Sequence, residues 1–361
     1  MQVAVCSVGV PYGGKEQFIY TFAEYLKRKT QIKVIVILFS KGVLYEKLLE
    51  ANIETEVVAP QFKYDLFVVG KIRKILKEKK IQIVHTHGYK ASVLCGIAAK
   101  LQGLKVVKTE HGALEPLGTL WERIKIQINL FCDHAFSKVL VDQTVFVSKD
   151  LQQRNVGHYR SVPGRVIYNG IPPFHLNGAV SSADFEPQFF HVGIIGRLTP
   201  VKGHAVLLDA VAGLEALQLR LHIFGDGALD EELKRSCRQK GIDSLVIFHG
   251  FKQNIPEYMS RLQLLVMPSL HEGFPYTLLE AGYSKIPFVA TAVGGIREVF
   301  EDQEDCLLVT PSDAAALQAA IRDLYQDAEK RKRLAESAHK KVTEHFLLEH
   351  MIEQYLEVYE N

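Results

Sequence analysis

The chain has 361 residues, of which 47% are hydrophobic and 23% charged, with a formal net charge of +2. That length and apolar content allow two buried cores, and no run reaches the ~18 apolar residues that crossing a bilayer takes. Cys6, Cys95, Cys132, Cys237 and Cys306 are scattered, odd in number and without CxxC spacing, which excludes a disulfide framework or a thiolate zinc site and reads as reduced core thiols of a cytosolic protein.

In chain order, the apolar opening Met1–Val10 has no basic flank and no small-residue cleavage site, so it reads as a buried strand over Val3–Val8, not as a signal peptide. β-Branched runs predict further strands over Lys33–Leu38, Thr55–Val58, Ile83–Thr86, Lys105–Thr109, Leu140–Val147 and Arg165–Ile167, with amphipathic helices over Glu16–Arg28 and Ile72–Lys80. The stretch Ile171–Pro187 holds Pro172, Pro173, Gly178, Ser181, Ser182 and Pro187 and has no periodicity, as expected of a linker. Alternation resumes with strands over His191–Ile195, Arg220–Phe224, Leu245–His249, Gln263–Met267, Pro287–Ala290 and Cys306–Val309. Helices Gly203–Gln218, Asp230–Lys240, Tyr276–Ser284 and Ala314–Gln326 fill the gaps, and a long helix over Val342–Tyr359 ends the chain.

Such alternation predicts parallel sheets built from βαβ units. The expected architecture is α/β, two doubly wound Rossmann-like domains facing each other across an interdomain cleft. Ligands of open parallel sheets bind beyond the carboxyl ends of the strands. Charge divides along the same line, with 25 Lys+Arg against 14 Asp+Glu in residues 1–171 and 18 against 27 in the remainder. By charge alone the basic half suits nucleic acid, an anionic membrane surface or a phosphorylated acceptor; with the motifs below, nucleic acid is not the expected partner. A solvated charge pattern without a partner reads equally well.

Five segments carry the chemistry. Pro268-Ser269-Leu270-His271-Glu272-Gly273-Phe274-Pro275-Tyr276-Thr277-Leu278-Leu279-Glu280-Ala281 follows an apolar strand and opens a helix at Pro275 or Tyr276, where a proline's missing N–H costs nothing. Glu272 falls in the loop and Glu280 about a turn into the helix, while the free N–H groups of the helix start suit a diphosphate. Two isolated glutamates would read as a dipole-favoured acid and a solvated helix residue. Gly193-Ile194-Ile195-Gly196-Arg197-Leu198-Thr199-Pro200-Val201-Lys202-Gly203 places a planar donor fork and a mobile point charge past a strand end, a pair suited to adjacent phosphates. The first strand runs into Gly9-Val10-Pro11-Tyr12-Gly13-Gly14-Lys15-Glu16, whose paired glycines let backbone approach a ligand. His85-Thr86-His87-Gly88 and Glu110-His111-Gly112 end two strands; the three histidines could converge, but no acidic or thiol ligand is suitably spaced and no metal site is expected.

These segments resemble the family 4 retaining glycosyltransferases of the GT-B fold, whose E-x7-E signature matches Glu272 and Glu280 down to the Glu-Gly-Phe-Pro core. The resemblance spans nearly the whole chain and is strongest over residues 191–300, where Phe224-Gly225-Asp226-Gly227 and Val293-Gly294-Gly295-Ile296-Arg297-Glu298 also match second-domain loops. It implies that Glu280 hydrogen-bonds the donor ribose and that Glu272 touches the transferred sugar. Arg197 and Lys202 would bind the diphosphate in the family's Gly-Arg-Leu-x-x-x-Lys-Gly element. It further implies a donor side completed by Gly13, Gly14, Gly196, Gly273, Phe274, Pro275, Thr277, Leu278, Gly294 and Gly295. His111 is the first choice for the histidine near the donor sugar, with His87 second and, together with Lys15, on the acceptor side. The last helix resembles a segment that crosses back onto the first domain, giving an acceptor domain of residues 1–171 joined by 345–361, a linker 172–190 and a donor domain 191–344.

The activity implied is retaining, metal-independent sugar transfer by front-face substitution, without a bound cofactor. The donor would be a UDP-, GDP- or ADP-sugar and the acceptor a lipid-linked or saccharide hydroxyl, in bacterial cell-surface polysaccharide, lipopolysaccharide or glycolipid synthesis. A nucleotide-sugar 2-epimerase on the same fold, needing no acceptor, and a non-catalytic nucleotide-binding or membrane-surface scaffold are the alternatives. A dehydrogenase or P-loop nucleotidase is disfavoured, because neither GxGxxG nor GxxxxGK[ST] is present. The helix carrying Lys71, Arg73, Lys74, Lys77, Lys79 and Lys80 around Ile72, Ile75 and Leu76 is expected to bury its apolar face in the core. It also admits peripheral attachment to an anionic membrane from the cytoplasmic side.

Overall fold

The computed structural model describes residues 1–61, 65, 67–112, 121, 128, 133, 135–159, 162–174 and 185–360. Cys132 and most of the expected linker lie outside them. The chain forms two compact units, Met1–Pro172 with Leu348–Asn361, and Pro173–Leu347.

The first unit carries β1 (Gln2–Ser7), β2 (Lys33–Leu38), β3 (Thr55–Val57), β4 (Ile83–His87), β5 (Lys105–Glu110), β6 (Gln143–Phe146) and β7 (Gly164–Val166). They pair in the order β3-β2-β1-β4-β5-β6-β7, every neighbour parallel. β1 is buried from Val3 to Ser7 without alternation, because helices cover both faces of a parallel sheet. One of them, Gly14–Lys29, turns Phe18, Phe22 and Leu26 inward at four-residue spacing beside Ile19. Each such side chain contributes about 1.5–3 kcal/mol by leaving water.

The second unit carries β8 (Phe190–Ile195), β9 (Leu219–Phe224), β10 (Val246–Gly250), β11 (Leu264–Met267), β12 (Phe288–Thr291) and β13 (Leu307–Val309), paired β10-β9-β8-β11-β12-β13 and again all parallel. Val192, Ile194, Leu221, Ile223, Leu264 and Val266 anchor its core against Leu207, Leu208, Ile321 and Leu324. In both sheets the chain reverses its winding direction between two adjacent strands, β1 and β4 in the first, β8 and β11 in the second. Loops leaving such a pair run to opposite faces and open a crevice at the carboxyl edge.

Three expected elements differ. The strand foreseen over Leu140–Val147 begins only at Gln143, because residues 135–140 are helical and Leu140 and Val141 are buried at that helix's end. The helix foreseen over Gly203–Gln218 is a 3-10 turn, Pro200–Lys202, followed by a helix over His204–Val211. Gly203, at φ +69, breaks the two apart. The foreseen helix Val342–Tyr359 is two helices, Ala328–His345 and Leu348–Glu360. At their junction the Phe346 ring packs on Phe274 at 5.5 Å and the Leu348 N–H donates to the Ile171 carbonyl at 2.8 Å. Asp327 caps the first of them by accepting from the Lys330 N–H at 2.8 Å, which separates it from the helix Ala314–Gln326. Among the described residues no helix is long and apolar enough to cross a membrane.

Candidate active site

The loops leaving β8 and β11 meet at the carboxyl edge of the second sheet. After β8 the Gly196 N–H donates to Phe224 O at 2.9 Å and the Leu198 N–H to Asp226 O at 2.8 Å, which holds the turn against the loop after β9. Arg197 is exposed there, and Lys202 is half-buried with its aliphatic stem 3.5 Å from where a Cβ on Gly196 would stand. The Leu270 N–H, in the loop after β11, donates to Val201 O at 2.7 Å and joins the two loops.

Their meeting point is a carboxylate. Lys202 Nζ donates to Glu272 Oε1 at 2.5 Å, and Ser269 Oγ donates to the same oxygen at 2.7 Å. Two glycines permit this closeness. A Cβ on Gly203 would stand 2.0 Å from Pro268 O, and one on Gly294, at φ +51, 1.8 Å from Glu272 O. The Gly295 N–H donates to Gly273 O at 2.8 Å, so the loop after β12 clamps the Glu-Gly-Phe-Pro turn.

The helix Tyr276–Tyr283 opens directly behind, with Pro275 at its N-cap, whose side chain makes no capping hydrogen bond. The N–H groups of its first turn give a positive end on the Lys202 side of the sheet's edge. Glu280 is half-buried on this helix and Thr277 half-buried in its first turn, whereas the Leu278 side chain is wholly buried in the core. Phe274 is buried against Phe346. The second unit therefore gathers Gly196, Arg197, Lys202, Glu272, Gly273, Gly294 and Gly295 into touching loops, with Glu280 on the helix that the Glu272 loop enters.

The first unit has its own loop cluster. Gly13 caps the helix Gly14–Lys29 through its extended backbone, without a side-chain hydrogen bond, so the helix amides open toward the end of β1. Lys15 pairs with Glu16 at 3.0 Å and lies 3.7 Å from where a Cβ on Gly88, beyond β4, would stand. His87 Nδ1 meets His111 Nε2 at 2.8 Å, joining the ends of β4 and β5. Both histidines are held well below their usual pKa, His87 by burial and then by neighbouring His85, His111 and Lys15, His111 by burial and then by Lys15 and His85. His85 is structural: its Nε2 meets Thr109 Oγ1 at 2.8 Å and its Nδ1 the Tyr359 hydroxyl at 2.7 Å. His87 is fully buried and His111 half-buried, so His111 is the ring with an open side. Next to it, Glu110 pairs at 2.6 Å with the buried ammonium of Lys108. Among the described residues no group of three or more His, Cys, Asp or Glu side chains is arranged to hold a metal ion.

Two family models match this chain, Glycosyltransferase Family 4 over residues 12–173 and Glycosyl transferases group 1 over residues 183–341. Together they cover both units and every loop described above. The chain belongs to the family 4, group 1 glycosyltransferases. A Campylobacter jejuni relative of this glycosyltransferase is 26% identical over 99% of this chain and 98% of its own length; it is an alpha-1,4-N-acetyl-D-galactosaminyltransferase acting on an undecaprenol diphosphate-linked saccharide. An Escherichia coli UDP-Gal:alpha-D-GlcNAc-diphosphoundecaprenol alpha-1,3-galactosyltransferase is 26% identical over 69% of this chain and 67% of its own. Among solved structures, Anabaena HepE in complex with UDP-glucose superposes with a TM-score of 0.87 at 25% identity, covering 100% of this chain and 99% of its own. The lipopolysaccharide glycosyltransferase WaaG, at 17% identity and a TM-score of 0.76 over 99% of both chains, shares the fold. The two parallel-sheet units of this glycosyltransferase are the Rossmann-like domains of the GT-B fold.

Sequence reasoning missed Ser269, which binds Glu272, and Thr291, whose hydroxyl donates to Ser269 O at 2.5 Å. Ser269 stands three residues before Glu272, a short reach in a turn, and that spacing was the available signal. Thr291 comes from β12 and gave none.

Proposed function

We propose that this glycosyltransferase moves a sugar from a nucleotide-diphosphate donor to a hydroxyl of a lipid-linked or saccharide acceptor, with retention and without a metal, in bacterial surface-glycan or glycolipid synthesis. The observation that carries this reading is the contact of Lys202 and Glu272 at 2.5 Å in the loop that enters the helix Tyr276–Tyr283. One point on the sheet edge thus offers a cation for a diphosphate and a carboxylate for sugar hydroxyls. Lys202, Arg197 and the helix amides supply the positive field that a departing phosphate needs, in place of a divalent ion. Glu272 Oε1 is engaged by two donors, which suits a carboxylate that binds and not one that attacks. The acceptor oxygen then approaches from the leaving-group face and the departing phosphate oxygen takes its proton.

UDP is the nucleotide we assign, supported by the UDP-glucose bound to HepE and by the UDP-galactose donor of the Escherichia coli relative. The undecaprenol-linked acceptors of the two bacterial relatives support a lipid-linked acceptor. His111 takes the place near the transferred sugar, with His87 and Lys15 on the acceptor side. The helix Phe67–Glu78 supports cytoplasmic work at an anionic membrane, since it buries Val68, Val69, Ile72 and Leu76 and leaves Phe67, Lys71, Arg73, Lys74 and Lys77 exposed. Screening UDP-, GDP- and ADP-sugars for thermal stabilisation, then for turnover with and without a polyprenyl-diphosphate saccharide, tests the reading. Acceptor-dependent release of UDP is expected; conversion of the donor without any acceptor would instead show an epimerase.

A further inference from the structure

We infer that Ser269 is a positioning residue for sugar transfer, the neutral donor that keeps Glu272 in place once Lys202 is drawn to the diphosphate. The inference rests on the proposed donor site and adds a part to it. Glu272 is 9% exposed and Ser269 1%, so neither is a surface ornament. Both hydrogen bonds to Glu272 end on Oε1, from Lys202 Nζ at 2.5 Å and from Ser269 Oγ at 2.7 Å. Among the described residues none reaches Oε2, which is left as the oxygen that can accept from a sugar hydroxyl.

The two donors respond differently to a ligand. An ammonium on a flexible stem is a point charge, and a diphosphate arriving beside it competes for that charge. A hydroxyl carries no net charge and stays with the carboxylate. Without it, loss of Lys202 to the phosphates would leave a mostly buried carboxylate unheld, and its rotamer would decide whether Oε2 faces the sugar. Ser269 is itself fixed from the neighbouring strand, because Thr291 Oγ1 donates to Ser269 O at 2.5 Å and lies 3.4 Å from Met267 O. The chain Thr291–Ser269–Glu272 thus ties the sugar-binding oxygen to the rigid end of β12.

The test uses the full-length enzyme with a UDP-sugar that the wild type turns over, reading kcat, donor KM, Kd for free UDP and thermal midpoint for Ser269→Ala and Ser269→Thr. Removing a hydrogen bond to a charged group is expected to lower kcat about 10- to 100-fold in Ser269→Ala. UDP affinity should hold within about twofold, because free UDP lacks the transferred sugar that Glu272 would meet, and the hydroxyl of Ser269→Thr should recover most of the rate. In a Glu272→Gln background, Ser269→Ala should add little, since residues acting through one another are not additive. Wild-type kcat in Ser269→Ala would overturn the inference, as would a shared loss of UDP affinity and thermal midpoint that threonine does not restore. A wild type that releases UDP from no sugar donor would overturn the donor site itself, and is read before any variant is made.

Discussion

At the residue scale the candidate site consists of four charged side chains, Arg197, Lys202, Glu272 and Glu280, and the small residues that let the loops meet. Lys202→Ala removes the cation nearest Glu272, and losing one preorganised donor to a developing charge lowers kcat about 10²- to 10³-fold. Glu280→Ala is expected to act on donor binding instead, raising donor KM about tenfold through loss of a hydrogen bond to a charged group. Equal effects of both variants on kcat alone would contradict this division. Gly294→Ala tests the clamp: a Cβ 1.8 Å from Glu272 O at φ +51 must push the Glu272 loop away, at about 1–3 kcal/mol, so turnover should drop while the overall fold survives. The glutamates and the two cations were legible in the sequence through the family motifs that they match, since two isolated glutamates would read as a dipole-favoured acid and a solvated helix residue. Ser269 was legible only as a hydroxyl three residues before Glu272, and Thr291 not at all, because a hydroxyl from another strand signals nothing until its partner's position is known.

At the scale of elements, the alternation of apolar runs and helices placed nearly every strand, since a parallel strand buried on both faces has an unbroken apolar signature. Helices without a stripe escaped the reading. Tyr89–Lys100 is buried nearly all round, from Ala91 to Gly96 and again at Ala98 and Ala99, so it shows no amphipathic period. The break at Phe346 escaped for another reason, because Val342, Phe346, Leu347, Leu348 and Met351 carry apolar character across it without a Gly or Pro, and the Leu348-to-Ile171 hydrogen bond marks the turn back to the first unit. The helix Phe67–Glu78 carries its own prediction. Charge reversal of Lys71, Lys74 and Lys77 together should weaken binding to phosphatidylglycerol vesicles by about 1 kcal/mol per site, while leaving transfer to a water-soluble acceptor unchanged. Equal binding of wild type and variant to anionic and to neutral vesicles would end the membrane assignment.

At the scale of the whole molecule, both units bury histidines in neutral form. His85 in the first sheet is pushed down to about 3 by burial. His222 in the second is likewise lowered to about 3, by burial first and then by His249, His191 and Arg220. His222 lies within a hydrogen-bonded row, with Nε2 2.9 Å from His191 Nδ1 and Nδ1 2.8 Å from His249 Nε2. The unfolded chain binds these protons near pH 6.5 and the folded chain only near pH 3, so stability is full above about 6.5 and falls as the pH drops between those values. Each such histidine costs about 1.4 kcal/mol per pH unit in that window. The thermal midpoint should therefore decline from pH 7 to pH 5, and a flat profile would show that the rings are not held neutral. What most directly tests the central claim is the anomeric configuration of the transferred sugar, read by NMR on the product of a UDP-α-sugar and a polyprenyl-diphosphate saccharide. An α-linked product from wild type, strongly reduced in Lys202→Ala, is the predicted result; a β-linked product, or transfer indifferent to Lys202, would contradict it.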